Sequence, residues 1–393
     1  MWTNPILSIA IYFLLYGIGS IISRKTKGIV IEALFLSIIY ALGFTTGLLP
    51  QDALNGTGIP AMMNAFGLML IITNLGTSIE LKRFVAEWRT VLICLIGLVV
   101  LGIMFFTLGS LLFGRYYALS AFPPISGGVV ATSLVVSAAE NAGMNSYGAF
   151  ASLLCSLQSF GAVPIASVLM RKYCDYLVKE EKYIPVAQEK DAKSWPSLKL
   201  IKRFPEALCS GPMITTRLLL VCIAGTALAN ATGGVLPAAV MVLILGIIFT
   251  EIGFLEKQTL AQAGYMEFLM PCLIMLIPNG FTGLTLSQFS SILLPSVFFV
   301  VFGAISLAIG GVIAGKLLKV DWRLAASISL SAMYGYPLSE VIARSIVSQY
   351  DLPENAKENM LELIMPQLII AGFTTVTVAS VVIAGFVVPL IFI

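Results

Sequence analysis

Two apolar stretches of this chain combine helix-breaking residues with small polar ones. The first, residues 122–143, opens with two prolines and continues through a Ser-Gly-Gly triplet into a run of small residues. Proline and glycine interrupt helices, and backbone left unpaired within a membrane is tolerated only where it lines a protein cavity or pathway. N–H groups at a new helix start suit a carboxylate, while freed carbonyl and hydroxyl oxygens suit a small hard cation such as sodium. The residues predicted to bind substrate here are Ser126, Gly127, Gly128, Thr132 and Ser133.

A counterpart of this stretch lies about 208 positions later, at residues 325–345. There Gly335 aligns with Gly127, and Pro337 is placed to open the helix that follows. Interrupted apolar segments at matching places in two halves of a chain indicate a transporter binding site. The residues predicted to bind substrate in this second stretch are Tyr334, Gly335, Ser339 and Arg344.

Arg344 has two interpretations. Glu340 lies four positions before it, so the two side chains can form an ion pair near the cytoplasmic edge of the membrane. Alternatively, the guanidinium of Arg344 holds a carboxylate of the substrate, for which its paired N–H groups are well suited.

Amide side chains are the main candidates for ion binding. Asn74 and Asn279 end matching helices, and Gln158 aligns with Gln367 at an offset of about 209 positions. Amide oxygens near unwound backbone can coordinate a cation or contact substrate, but they also cap helices and join neighbouring helices by hydrogen bonds. The residues predicted to bind the ion are Asn74, Asn279, Ser331, Gln158 and Gln367.

The composition excludes most other functions. The chain has no histidine, and its six cysteines lack the spacing of a disulfide frame, a zinc site or an iron–sulfur cluster. Motifs of soluble enzymes are absent, so we expect a non-enzyme without cofactor or resident metal, in which sodium is a transported coupling ion. A net charge of +3 does not suggest a nucleic-acid partner. Glu140 and Glu340 are the candidates for proton coupling.

The overall composition predicts an all-α polytopic membrane protein. The 393 residues are 58% hydrophobic and 11% charged, with a mean hydropathy of +0.97. The first apolar segment is followed, not preceded, by its positive flank, so we expect no cleaved signal peptide. Segments long enough to span the bilayer are residues 5–22, 28–49, 59–79, 91–113, 147–170, 216–231, 236–253, 266–284, 292–317 and 363–390.

The distribution of lysine and arginine indicates how the two interrupted segments lie in the membrane. If segments 118–142 and 324–349 are re-entrant hairpins and the N-terminus is outside, nearly all basic loops face the cytoplasm. If they cross the membrane instead, the lysine-rich linker and the cluster of Lys316, Lys319 and Arg323 move outside. We therefore expect about ten transmembrane helices plus two hairpins that open from opposite sides of the cell (inner) membrane, with both termini outside.

This topology makes the two halves inverted copies of each other. The segment NLGTSIELKRF, from Asn74 to Phe84, matches NGFTGLTLSQF, from Asn279 to Phe289, at an offset of about 205 positions. The predicted organisation is an N-terminal repeat over residues 1–172, a cytoplasmic linker over residues 173–214 and a C-terminal repeat over residues 215–393.

The SGG of the first hairpin, the segment LGTSIELKRFVAEWR and the later MYGYP together resemble the sodium/glutamate symporter family. They are also similar to the membrane β subunit of sodium-pumping decarboxylases. The resemblance implies an elevator mechanism, in which a unit carrying both hairpins slides against a homodimeric scaffold in the lipid bilayer. It also implies transport of an organic anion with sodium. Val130 stands where the β subunit has an acidic residue, which argues against that subunit, and Val129, Val130 and Ala131 replace the glycines and histidine that usually follow SGG in the symporter family.

These observations favour a secondary active transporter, a symporter that moves a small organic anion, glutamate-like or a dicarboxylate, with sodium. Sodium needs only carbonyl and hydroxyl oxygens, which both hairpins offer, whereas proton coupling needs a buried titratable group. The alternatives are a membrane subunit of a sodium-pumping decarboxylase-type complex and a proton-coupled permease. A passive channel is disfavoured because the polar residues cluster at two points in each half instead of forming a continuous lining.

Overall fold

A computed structural model describes residues 4–26, 30–79, 85–181, 201, 204–205, 209–232, 236–335 and 338–391. Every regular element within these ranges is a helix, which confirms the all-α class. Seven of the described helices are long and apolar enough to cross a membrane, and further apolar helices are shorter. The chain is therefore a multi-pass membrane protein, as its composition predicts.

The helices follow the same order in both halves of the described chain, apart from single turns. The first half contains α1 (Pro5–Lys25), α2 (Glu32–Thr45), α3 (Ile59–Thr77), α4 (Trp88–Phe113), α5 (Arg115–Gly127), α6 (Val129–Asn141) and α7 (Asn145–Lys179). The second half contains α8 (Gly211–Ala231), α9 (Ala238–Ile252), α10 (Met266–Asn279), α11 (Leu286–Leu318), α12 (Trp322–Leu330), α13 (Leu338–Val347) and α14 (Glu354–Ile391). Each of the apolar segments derived from the sequence overlaps one of these helices, and each interrupted segment overlaps a helix pair.

The chain turns back between α5 and α6. The ring of Tyr117, near the start of α5, lies 5.4 Å from the ring of Tyr147 and 4.9 Å from that of Phe150, both near the start of α7. Since α7 begins directly after α6, helix α6 ends at the level where α5 begins. A straight helix of their combined length would hold these ends about 40 Å apart at 1.5 Å per residue. Helices α5 and α6 therefore form a hairpin, called here hairpin 1.

A second hairpin, hairpin 2, is formed by α12 and α13 at the other end of the bundle. Arg323, at the start of α12, donates a hydrogen bond to the carbonyl oxygen of Lys172 at 3.2 Å. Tyr350, just after α13, donates one to the carbonyl oxygen of Arg171, also at 3.2 Å. Both acceptors lie near the C-terminal end of α7, a helix of 35 residues whose N-terminal end contacts hairpin 1. The two hairpins therefore open at opposite ends of the bundle.

Glycines bring the helices around hairpin 2 into backbone contact. A Cβ atom added at Gly310 of α11 would lie 2.8 Å from the Cα of Gly97 in α4. One added at Gly311 would lie 2.5 Å from the Cα of Ala326 in α12. Close approach of small residues is the main way in which membrane helices gain van der Waals contact. Helices α4, α11 and α12 therefore pack directly against one another.

The position of the first chain break corrects the sequence interpretation. Pro123 and Pro124 lie inside α5 and do not end it. A proline removes one helical hydrogen bond and can kink a helix, but α5 continues past both prolines. Helix α5 continues to Gly127 and ends at Gly128, whose φ of +77° is a left-handed conformation that favours glycine. The break is thus one glycine, not the Pro-Pro pair.

Parts of the repeat prediction lie outside the described residues. Helix α7 runs to Lys179, past the boundary expected for the linker over residues 173–214. Most of that linker, residues 182–200, 202–203 and 206–208, is not among the described residues. The same is true of Phe84 in the repeat match and of Pro337, which was expected to open α13.

Candidate site at the hairpin tips

The tips of the two hairpins meet at one residue of α14. A Cβ atom added at Gly128 would lie 3.8 Å from Cγ1 of Val376, and one added at Gly335 would lie 3.1 Å from Cγ2 of the same residue. Val376 lies in a π-helical turn, Thr374–Ala379, within α14. Such turns are frequent at functional sites. We call Gly128, Gly335, Val376, Gln158 and Ser339 the tip site.

The two glycines have the same backbone hydrogen bonds. The N–H of Gly128 donates to the carbonyl four residues earlier at 2.9 Å, and its own carbonyl accepts from the N–H four residues later at 3.1 Å. The corresponding distances at Gly335 are 2.7 Å and 3.1 Å, and its φ is +62°. Gly128 therefore ends α5 and begins α6, and Gly335 lies between the helical turn Ser331–Met333, which follows α12, and the start of α13. Gly128 is the counterpart of Gly335, so the sequence alignment, which paired Gly335 with Gly127, was one position out of register.

Four helix ends surround the tip site. Helices α6 and α13 begin there, and the first N–H groups of a helix have no intrahelical acceptor and carry a partial positive charge. Helix α5 ends there, as does the helical turn Ser331–Met333 that continues α12, and their last carbonyl groups carry a partial negative charge. None of the residues of the tip site has a charged side chain. The site thus offers donors to an anion and oxygens to a cation without a fixed charge.

Two buried polar atoms of the tip site have no hydrogen-bond partner in the described part of the chain. They are Oε1 of Gln158, whose residue is 4% exposed, and Oγ of Ser339, whose residue is 1% exposed. Nε2 of Gln158 lies 3.9 Å from the Cβ position at Gly128, which places this amide beside the tip of hairpin 1. A buried polar atom without a partner costs about 1–3 kcal/mol. Both atoms are therefore suited to contact a bound molecule or ion.

The other hydroxyl groups that the sequence singles out bond to their own helices. Tyr334 donates to the carbonyl oxygen of Ser327 at 3.2 Å. Four more donate to a carbonyl three or four residues earlier and are buried: Ser126, Thr132, Ser133 and Ser331. A hydroxyl that donates in this way keeps lone pairs for accepting a hydrogen bond or coordinating a cation.

Gly127 lies beside the tip site and has a packing contact. A Cβ atom added there would lie 1.7 Å from Cβ of Ser380 in α14, so α5 and α14 meet without space for a methyl group. The glycine at this position is required by that close approach, whereas the one at Gly128 is required by its backbone conformation.

Arg344 and Gln367 are not brought to the tip site. Nε of Arg344 donates to Oε1 of Glu340 at 2.7 Å, and the arginine side chain is 59% exposed. This is the ion pair that the sequence offers as the first interpretation. The half-buried Gln367 donates from Nε2 to the carbonyl oxygen of Leu363 in its own helix at 3.5 Å.

The two asparagines bond to residues at helix ends. Oδ1 of Asn74 accepts from the N–H of Leu260 at 2.8 Å and so caps the helical turn Thr259–Gln262. Oδ1 of Asn279 accepts from the hydroxyl of Thr282 at 3.4 Å. Asn279 also lines a recess of about 40 Å³ with the exposed Glu140. The contact of Asn74 is that of the capping interpretation, whereas the contact of Asn279 joins two neighbouring side chains.

Comparison with known proteins assigns no family. No family model and no curated protein matches the chain. One solved structure that is similar is that of the sodium proton antiporter MjNhaP1 from Methanocaldococcus jannaschii. The similarity has a TM-score of 0.40 and 14% identity, and it covers 98% of this chain and 99% of that chain. A similarity at this level does not define a function.

Proposed function

We propose that this protein is a secondary active transporter that moves a small organic anion, glutamate-like or a dicarboxylate, together with sodium. One observation carries the proposal: hairpins from opposite ends of the bundle meet at Val376. Each hairpin therefore separates the tip site from one end of the bundle. A site with a barrier on both sides is what alternating access requires, because opening one barrier at a time exposes the site to one compartment.

The anion is proposed to bind at the starts of α6 and α13. The N–H groups there and the helix dipoles favour a carboxylate without any arginine or lysine. Two helix starts from opposite directions suit a molecule with two acidic groups, which supports glutamate or a dicarboxylate over a monocarboxylate.

Sodium is proposed to bind oxygens at the ends of α5 and α12, with Oε1 of Gln158 as a further ligand. Broken helices of transporters hold sodium in this way, with unwound carbonyl oxygens. The tip site contains no carboxylate, so its own residues favour sodium over a proton as the coupling ion.

An elevator movement is proposed in which both hairpins travel with α4, α7, α11 and α14. The support is packing: α12 contacts the backbone of α11 at Gly311, and α5 contacts α14 at Gly127. The remaining helices would then form the scaffold of a homodimer.

The test is uptake of labelled glutamate, aspartate, succinate and malate into liposomes that contain the purified protein. We expect uptake driven by an inward sodium gradient and abolished by a sodium ionophore. Protein-free liposomes and an equal potassium gradient are the controls. A complete lack of sodium-dependent uptake over this panel would contradict the proposal, and uptake driven by a pH gradient without sodium would favour the permease instead.

A further inference from the structure

A groove of about 500 Å³ lies between α13 and the C-terminal half of α7. This volume is in the range of small-molecule binding sites in proteins. One end of the groove is at Leu338, directly beyond the tip of hairpin 2. The other end is at the base of that hairpin. Most of the wall is apolar and consists of Val163, Val168, Leu338, Val341, Ile342 and Ile346.

The groove is open toward the side of the bundle. Val168, one of its wall residues, is 55% exposed, although it lies within α7, a helix apolar enough to cross a membrane. An exposed valine at this depth faces the hydrocarbon of the bilayer. A hydrocarbon chain can therefore enter the groove from the membrane without crossing water, and filling it buries apolar surface on both sides.

The end of the groove at the hairpin base carries a net positive charge. Arg171 and Lys172 are exposed, and the partner of the Arg171 guanidinium is the neutral amide of Gln349. Asp175, the carboxylate at this end, accepts a hydrogen bond from the hydroxyl of Tyr350. Among the residues that the structure describes, neither Arg171 nor Lys172 forms an ion pair. The charged residues that line the groove are thus two cations and one carboxylate, which leaves a net positive charge.

Aromatic residues place this end at the surface of the membrane. Tyr173 and Tyr176 follow the two basic residues on α7, and Trp322 begins α12 at the same level. Arg323 lies 4.3 Å above the ring of Tyr176. Tyrosine and tryptophan concentrate at the headgroup level of membranes. The basic pair therefore lies where lipid phosphates are.

We propose that this groove binds one anionic phospholipid, with its phosphate at Arg171 and Lys172 and an acyl chain between α7 and α13. Basic pockets between membrane helices are suited to such headgroups. The bound acyl chain contacts α13 along its length, so the lipid is placed to influence how readily α13 moves. This site is separate from the tip site and does not depend on the proposed transport activity.

The experiment is native mass spectrometry of the full chain after incubation with equal amounts of phosphatidylglycerol and phosphatidylcholine of the same acyl chains. We expect a retained phosphatidylglycerol adduct on the unaltered protein. The double variant R171Q/K172Q should retain about thirtyfold less of it, since each basic residue near the surface contributes about 1 kcal/mol to the attraction of an anionic lipid. Lys316→Gln, which removes an exposed cation at the same end but outside the groove, should retain the adduct.

A second variant tests the apolar wall of the groove independently of the basic residues. Val341→Trp fills the apolar wall while leaving both basic residues in place, and it should lose the phosphatidylglycerol adduct. Added inorganic phosphate should not displace the lipid, which distinguishes a phospholipid site from a site for free phosphate. Equal retention of the two lipids, unchanged retention in R171Q/K172Q, or unchanged retention in the folded Val341→Trp variant would each overturn the proposal.

Discussion

Gly128 and Gly335 lie against the two methyl groups of one side chain, Val376. The first glycine faces Cγ1 and the second faces Cγ2. The two breaks in the chain thus share a single contact, although the hairpins that carry them enter from opposite ends of the bundle. Four predictions follow from this arrangement and from the contacts around it.

The first prediction concerns the unpaired amide of the tip site. Gln158→Leu keeps the volume of the side chain but removes Oε1, the proposed sodium ligand. We expect the half-saturating sodium concentration for uptake to rise about ten- to a hundredfold. The reason is that an interaction between a buried polar group and a charged partner contributes about 1.5–3 kcal/mol. The matched control is Gln367→Leu, because that glutamine bonds within its own helix. An equal effect of both substitutions would count against the assignment.

The second prediction concerns the contact of α5 with α14. Gly127→Ala places a methyl group within 1.7 Å of Cβ of Ser380, so we expect a loss of about 1–3 kcal/mol in stability. Ser380→Gly in the same chain should recover part of that loss, which a double-mutant cycle of thermal unfolding in detergent measures. Gly17→Ala is the control, since nothing lies within 4 Å of its Cβ position. A cycle without coupling would show that the two positions do not touch.

The third prediction concerns the direction of the hairpins. Tyr116 is exposed at the start of hairpin 1, and Ser348 is exposed at the end of hairpin 2. In a background without native cysteines, Tyr116→Cys should react with a membrane-impermeant maleimide from outside the cell. Ser348→Cys should react only in inside-out vesicles. Labelling of both positions from one side would contradict a bundle with hairpins that open at opposite ends.

The fourth prediction concerns pH and the ion pair that begins α12. Burial raises the pKa of the Asp321 carboxyl, but the hydrogen bonds and charge of Arg323 outweigh burial, and the pKa lies below its ordinary value of 3.8. The pair therefore stabilises the fold above that pH, and this contribution, about 1 kcal/mol, is lost as the pH falls through the folded-state pKa.

Asp321→Asn tests this sign because asparagine can still cap the helix while lacking the charge. Thermal unfolding should show the unaltered protein as the more stable one near neutral pH. The difference should disappear as the pH is lowered below 4. A difference that stays constant over this range would mean that the carboxylate does not act through its charge.

Much of the fold could be predicted from the sequence because membrane helices have a strong signal. Unbroken apolar length identifies the spans, and prolines and glycines within apolar runs identify the two hairpins. The distribution of basic residues predicts that the hairpins open from opposite sides, and the positions of Tyr117 and Tyr350 agree with this.

The details of the site were less accessible from sequence. Two adjacent glycines, Gly127 and Gly128, look alike in sequence, and only their surroundings distinguish the packing contact from the left-handed turn. Nothing in the sequence distinguished Val376 from the other apolar residues of its segment, so its contact with both glycines could not be predicted. The sequence left Arg344 with two interpretations, an ion pair with Glu340 and a contact with substrate, and the structure shows the ion pair.

The contact between Gly311 and Ala326 restricts which helix of hairpin 2 can move. The two backbones touch, so α12 cannot slide along α11 without colliding with the next larger side chain. Helix α12 is thereby held against α11, whereas α13, a helix of ten residues, borders the groove of about 500 Å³. In the proposed transport cycle, we therefore expect the movement at this end of the bundle to be confined to α13 and not to involve hairpin 2 as a whole.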